Sequence, residues 1–168
     1  ARNALGIPRP RVGLLNVGTE EHKGRPEIHE AAELVAAAAT AGEFDYIGYV
    51  EGSDMPSDRV DVIVTDGFTG NVALKTAEGT AGLIRGLLKE AFAYSPLSRI
   101  GALFALTSLK RLQLRIDPRR SNGGVFLGLN GTVIKSHGSA DATAISAAIG
   151  LGYTLADKGF THRLAARV

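Results

Sequence analysis

The run Val60-Asp61-Val62-Ile63-Val64-Thr65 is rich in β-branched residues, breaks at Asp66-Gly67-Phe68-Thr69-Gly70, and passes directly into a helical pattern from about Asn71. Such a run bounded by turn residues reads as a buried strand, and the helix behind it puts the loop at the strand's carboxyl end. Ligands of open α/β sheets bind at that end. Gly67 and Gly70 let the backbone approach a ligand, and the first free N–H groups of a helix starting near Asn71 have the positive end of its dipole behind them. Taken alone, the segment supports two readings: a phosphate site, or a helix capped by Asp66 and Asn71 behind turn-forming glycines.

The flanking segments set this loop in an α/β architecture. Arg11 to Val17 reads as a strand, Gly18 to Pro26 as a polar loop, and Glu27 to Ala41 as an alanine-rich helix with Pro26 where helix starts tolerate it. Phe44 to Val50 is a second strand, Glu51 to Ser57 a turn-rich link, and Val60 to Thr65 a third strand. This order implies a parallel sheet with right-handed crossovers. A helix is expected from Asn71 to about Tyr94 despite Gly79, Gly82 and Gly86, and another from Leu97 to about Leu114, closed by Pro118 and Arg119-Arg120-Ser121-Asn122. Gly124 to Leu129 and Thr132 to Lys135 flank Asn130-Gly131, the pattern of an antiparallel hairpin with a type I′ turn. A small-residue helix from Asp141 to about Ala156 and a basic tail complete the chain.

With 168 residues, 45% of them hydrophobic, the chain suits one α/β domain over residues 1–168, with 84–118 as a helical excursion for dimer or membrane contact. A net charge of +2 gives no argument for a nucleic-acid partner. The absence of cysteine excludes disulfides, thiolate metal sites and a cysteine acyl-enzyme. Four histidines without metal spacing predict no metal, and no cofactor is expected. No signal peptide is expected, and no apolar stretch of the sequence reaches the roughly 18 residues of a membrane span. The expectation is a soluble, cytoplasmic protein. Its start at Ala1, without an initiator methionine, reads as a fragment or processed half.

Three segments carry a resemblance: Arg11-Val12-Gly13-Leu14-Leu15-Asn16-Val17-Gly18 with Glu20, Glu21, Lys23 and Gly24; Val64-Thr65-Asp66-Gly67-Phe68-Thr69-Gly70-Asn71 with Leu74 and Lys75; and Ile134-Lys135-Ser136-His137-Gly138-Ser139. In order and spacing they resemble the carboxyl-terminal half of the phosphate acyltransferases of bacterial phospholipid synthesis, the PlsX family. The resemblance implies a three-layer α/β/α sandwich with a mixed, mostly parallel sheet, similar to isocitrate and isopropylmalate dehydrogenases, and a homodimer. It implies transfer of a fatty acyl group from an acyl carrier protein thioester to inorganic phosphate. The acyl phosphate would then serve a membrane acyltransferase acting on glycerol 3-phosphate.

Phosphate is itself a nucleophile, so such a protein need only hold it against the thioester carbonyl, stabilise the oxyanion and help the thiol leave. Lys23, in a glycine-flanked loop after a strand, is the first candidate for the catalytic cation, with Glu20 and Glu21 as groups that orient it. Asn16 and Gly18 lie in the same segment as candidate substrate contacts. Asp66 either holds a catalytic lysine or caps the helix. Asn71 and the amides around Gly67 and Gly70 are the preferred phosphate contacts. Lys75 either reaches the same anion or pairs with Glu78. His137 is either a proton donor to the leaving thiol or a structural histidine, and Lys135 beside it is a further substrate contact.

From Leu97 to Ile116 apolar residues alternate with Arg99, Lys110, Arg111 and Arg115 without any acidic residue. This suits an anionic lipid surface at the inner face of the membrane, or the acidic carrier protein. The apolar positions spread around most of the helix, which fits a buried dimer helix better. Two alternatives stand beside the main reading: a phosphotransacetylase-like enzyme using coenzyme A thioesters, and a non-catalytic dimerisation and carrier-docking module. A decarboxylating dehydrogenase of similar fold would want clustered aspartates for a divalent metal, and no such cluster is present.

Overall fold

In the computed structural model, which describes residues 1–117, 122–138 and 140–166, the chain is an α/β protein divided into two compact units, Ala1–Ala73 and Leu74–Val168. Pro118, Arg119, Arg120, Ser121 and Ser139 fall outside the described residues.

The first unit is built on a parallel sheet. β1 (Arg11–Leu15) lies between β2 (Asp45–Val50) and β3 (Val62–Val64) and runs parallel to both. Val12, Leu14, Leu15 and Val50 form its buried core. The β1–β2 register slips between Val12 and Leu14, which pair with Tyr46 and Tyr49, and Gly48 takes up the extra residue at φ 84°. Removing a side chain there permits a conformation that other residues rarely adopt. At the amino end of the sheet, Arg11 and Asp61 lock β1 to β3. The Asp61 carboxylate accepts from Arg11 N at 2.8 Å, Nε at 3.0 Å and Nη2 at 2.9 Å, and Asp61 N donates to Arg11 O at 2.9 Å.

Between β1 and β2 runs helix α2 (Pro26–Gly42), with proline in its first turn as expected and Glu43 closing it in the left-handed region at φ 54°. A short helix, α1 (Arg2–Leu5), sits before β1, and Arg2 pairs with the Glu43 side chain while its Nη2 donates to Glu43 O at 3.0 Å. That guanidinium holds the unusual turn in place.

Helix α3 spans Gly67–Ala93, so the unit boundary falls within it. It starts four residues earlier than the glycines led us to expect, because Asp66 supplies a cap strong enough to offset their poor helix propensity. Helix α4 (Pro96–Ile116) opens on Ser95, whose hydroxyl accepts from Ser98 N at 3.1 Å. α3 buries none of its residues, and α4 exposes Leu97, Leu103 and Phe104. No helix among the described residues is long and apolar enough to cross a membrane.

In the second unit, β4 (Gly124–Phe126) and β5 (Val133–Lys135) form the expected antiparallel hairpin. Its connection is not the two-residue Asn130-Gly131 turn. Phe126 pairs with Val133, so six residues link the strands, and Gly128 at φ 81° ends β4 early. Helix α5 (Ala142–Asp157), capped by Asp141 through Ala144 N at 3.0 Å, packs on β5 and buries Ala144, Ala148 and Leu155. The segment expected as a basic tail instead forms α6 (Phe160–Ala165), anchored by buried Phe160.

Candidate functional site

Because β1 and β3 are parallel neighbours, the loops that follow them, 16–25 and 65–66, emerge at the same end of the sheet. In the first loop, Asn16 is the organising residue: its N–H donates to Val50 O at 2.9 Å and its Nδ2 to Lys23 O at 2.9 Å. Lys23 O also faces His29 Nε2 at 3.0 Å, and Lys23 N donates to Glu20 O at 3.0 Å to close a turn. Gly24, at φ 101°, lies so close to Asn16 that a Cβ there would meet the side-chain amide. The Asn16 amide proposed for substrate is therefore already donating within the loop.

Lys23 folds back over Gly18, where an added Cβ would strike the lysine chain and come 2.7 Å from Glu20 Oε2. Its ammonium pairs with Glu20 Oε1 at 2.6 Å. Glu20 thus orients the lysine, as expected for one of the two carboxylates, while Glu21 is among the residues lining a separate cleft. The bond from Lys23 holds the Glu20 carboxyl below its usual range, and the carboxylate in turn raises the lysine. Both groups are about half exposed, so the pair adds little stability, and the ammonium stays protonated beside its carboxylate.

The second loop decides between the two readings of Asp66. Asp66 is a helix cap: Oδ1 accepts from Thr69 N at 2.8 Å and Oδ2 from Thr69 Oγ1 at 2.5 Å. Those bonds, led by the threonine hydroxyl, lower its pKa. Among the described residues its ion pair is with Arg25, 3.9 Å from Oδ2, and not with a lysine. The Gly70 N–H donates to Asp66 O at 3.0 Å, and Asn71 lies a full turn inside the helix, so neither main-chain amide is free for an anion. Gly67, expected in a loop, lies in the first turn of α3 and is open to solvent, and Asn71 is exposed.

The third motif belongs to the second unit. His137, just after β5, places Nδ1 3.4 Å from Lys75 Nζ and Nε2 3.2 Å from Glu78 Oε1, while Lys75 Nζ lies 2.8 Å from Glu78 Oε2. Lys75 therefore makes the ion pair foreseen as its alternative role. The Lys75 hydrogen bond is the main cause that lowers Glu78, and the charge of Lys75 adds to it. Lys135 is exposed at the end of β5.

Two residues with no role at His137 foreseen from the sequence hold this arrangement. Asn122 is buried: Nδ2 donates to Ser136 Oγ at 2.6 Å and Ala144 O at 2.9 Å, and Oδ1 accepts from His137 N at 3.4 Å. A Ser-Asn-Gly-Gly run reads as loop, and nothing local signals its burial. Glu78 was read only as an ion-pair partner, since a contact 59 residues along the chain leaves no local trace.

A cleft of about 670 Å³ in the first unit lies elsewhere. Thr19, Glu21, His29, Glu33, Tyr46 and Tyr49 line it between α2 and β2, without Asn16, Lys23 or Asp66. The glycine-lined ammonium of Lys23 lies at the strand ends, away from this cleft. Among the described residues, no three His, Asp or Glu side chains converge to hold a metal.

Fold and loops together define an α/β protein that carries a glycine-lined ammonium at the carboxyl end of a parallel sheet. Residues 1–163 match the family described as fatty acid synthesis protein, and the chain belongs to that family. Over all 168 residues it is 71% identical to a phosphate acyltransferase of Paracoccus denitrificans, covering 45% of that protein. It is 69% identical to the phosphate acyltransferase of Dinoroseobacter shibae and 68% to that of Ruegeria pomeroyi, over 44% and 45% of their lengths. The chain thus spans a little under half the length of these curated relatives. The family found is the one that the three motifs had suggested.

Proposed function

We propose that this chain is part of an enzyme that transfers a fatty acyl group from acyl carrier protein to inorganic phosphate, giving an acyl phosphate for phospholipid synthesis. The observation that carries the reading is the Lys23 ammonium, held by Glu20 over Gly18 at the strand ends, in a chain 71% identical along its whole length to a phosphate acyltransferase. In the reaction a phosphate oxygen attacks the thioester carbonyl, the C–O bond forms, the C–S bond breaks, and the thiolate takes up the proton that monohydrogen phosphate loses. Lys23 neutralises phosphate or the developing oxyanion, an electrostatic role that operates best in a preorganised loop. Gly18 and Asn16 give the loop its shape, Asp66 orders the start of α3, and Gly67 with the Asn71 side chain offers further contacts to phosphate. His137 serves the leaving thiol.

The fold proposed for the complete enzyme is the three-layer, isocitrate dehydrogenase-like sandwich, of which the three parallel strands are a part. The bare apolar surface of α3 and α4, including Leu83, Leu87, Leu103 and Phe104, supports homodimer packing first and peripheral membrane contact second, in keeping with a cytoplasmic enzyme that hands its product to a membrane acyltransferase.

The test is a steady-state assay of the intact protein with phosphate and either acyl carrier protein or coenzyme A thioesters. Preference for the carrier protein is expected, and strict preference for coenzyme A would favour the phosphotransacetylase alternative. Lys23→Ala is expected to abolish acyl phosphate formation while the protein stays folded; near-normal turnover would remove Lys23 from the mechanism.

A further inference from the structure

We infer that Glu78 is a positioning residue that fixes His137 as the Nε2–H tautomer, leaving Nδ1 as its reactive nitrogen. The inference deepens the reading of His137 as the group that serves the leaving thiol, and rests on that reading for its catalytic meaning.

The assignment follows from which partners can give a hydrogen and which can only take one. An ammonium has only donors, so His137 Nδ1, 3.4 Å from Lys75 Nζ, faces it with a lone pair. An ionised carboxylate only accepts, so His137 Nε2, 3.2 Å from Glu78 Oε1, carries the hydrogen. Glu78 divides its two oxygens between these neighbours, Oε2 to Lys75 at 2.8 Å and Oε1 to His137. Lys75 and Glu78 stand three residues apart on α3, where such side chains are neighbours. The histidine backbone is anchored separately by Asn122 Oδ1. The ring is therefore held at both its nitrogens and at its main chain.

Orientation of an imidazole by a carboxylate on one nitrogen, so that the other does the chemistry, is the division of labour in acid–base dyads. Here the working atom is Nδ1, and it starts without a proton. Once Lys75 gives up its long 3.4 Å contact, Nδ1 takes the proton that monohydrogen phosphate loses as the C–O bond forms and delivers it to the thiolate sulfur as the C–S bond breaks. Protons balance and His137 ends neutral.

The experiment is long-range ¹H–¹⁵N spectroscopy of the intact protein, with the His137 ring signals identified by their loss in His137→Gln. At neutral pH the wild-type ring is expected to show a protonated Nε2 and a bare Nδ1. Glu78→Ala is expected to mix the two tautomers, whereas Glu78→Gln keeps a carbonyl acceptor and restores the wild-type pattern. In the acyl transfer assay, Glu78→Ala lowers kcat by about 100-fold, the lower range of general acid–base contributions, with KM for phosphate unchanged, and Glu78→Gln recovers most of it. A wild-type ring protonated at Nδ1, or an unchanged spectrum in Glu78→Ala, overturns the inference. The expected spectra in a protein that forms no acyl phosphate would uphold the positioning while defeating the functional reading.

Discussion

Replacing Gly24 and Gly18 one at a time by alanine separates what holds the Lys23 loop together from what aims its ammonium. Gly24 sits at φ 101°, and an alanine Cβ there would run into the Asn16 side chain, with Cγ and Nδ2 each at 2.9 Å. The left-handed backbone costs about 1–3 kcal/mol for a residue with a side chain, and displacing Asn16 from Lys23 O loses a hydrogen bond of about 1 kcal/mol. Gly24→Ala should therefore destabilise the protein by about 2–4 kcal/mol, a large share of a typical stability of about 5–15 kcal/mol. In urea this lowers the unfolding midpoint by about 1–2 M at unchanged m. Gly18 has no such φ, and its alanine Cβ meets only the flexible ends of Lys23 and Glu20, which move aside cheaply. Gly18→Ala should cost less than about 1 kcal/mol yet lower acyl phosphate formation about 100-fold, because it swings the ammonium out of line. A Gly24→Ala protein with a wild-type midpoint would refute the Asn16 clamp. A fully active Gly18→Ala protein would refute the claim that Lys23 works from over Gly18.

Further outcomes follow from other parts of the molecule. Asn122→Ala orphans the Ser136 hydroxyl and the His137 N–H and should cost about 2–4 kcal/mol in urea unfolding; a loss under about 0.5 kcal/mol would show that Asn122 is not the clamp. Acid should weaken the sheet in a defined window. The Arg11 side-chain and main-chain hydrogen bonds hold Asp61 at about 2, below its ordinary 3.8, so its contribution is complete above about pH 4 and is lost as pH falls through about 2. Asp61→Asn should flatten the stability curve there, and an unaltered curve would assign the acid response to other carboxylates. Arg111→Glu should reduce co-sedimentation with anionic liposomes if α4 meets the membrane, and unchanged binding would leave dimer packing as its role.

Much of the fold was legible because its signals are local. The β-branched stretches around Val12 and Val62 announced strands, Pro26 announced the start of α2, and Asp141 announced that of α5. The motif residues were legible too, and they led to the correct family. Misreadings arose wherever a local preference met a stronger partner. Gly67 and Gly70 argued for a loop up to Asn71, but the Asp66 cap draws the helix back over them. Asn130-Gly131 argued for a tight turn, but the left-handed Gly128 ends β4 before it. The terminal segment looked like a polar tail because a single buried ring, Phe160, carries its packing.

From its order of residues alone this chain determined an α/β class, a parallel sheet and a cationic, glycine-bearing loop after the first strand, since periodicity, turn chemistry and charge act over a few neighbours. Tertiary structure decided what each candidate side chain spends its hydrogen bonds on. It committed Asn16 to Lys23, turned Asp66 and the Gly70 amide inward to the helix, and brought Glu78 and Asn122 to His137. Burial and pairing at a distance depend on where the chain returns, and no window of sequence contains that information.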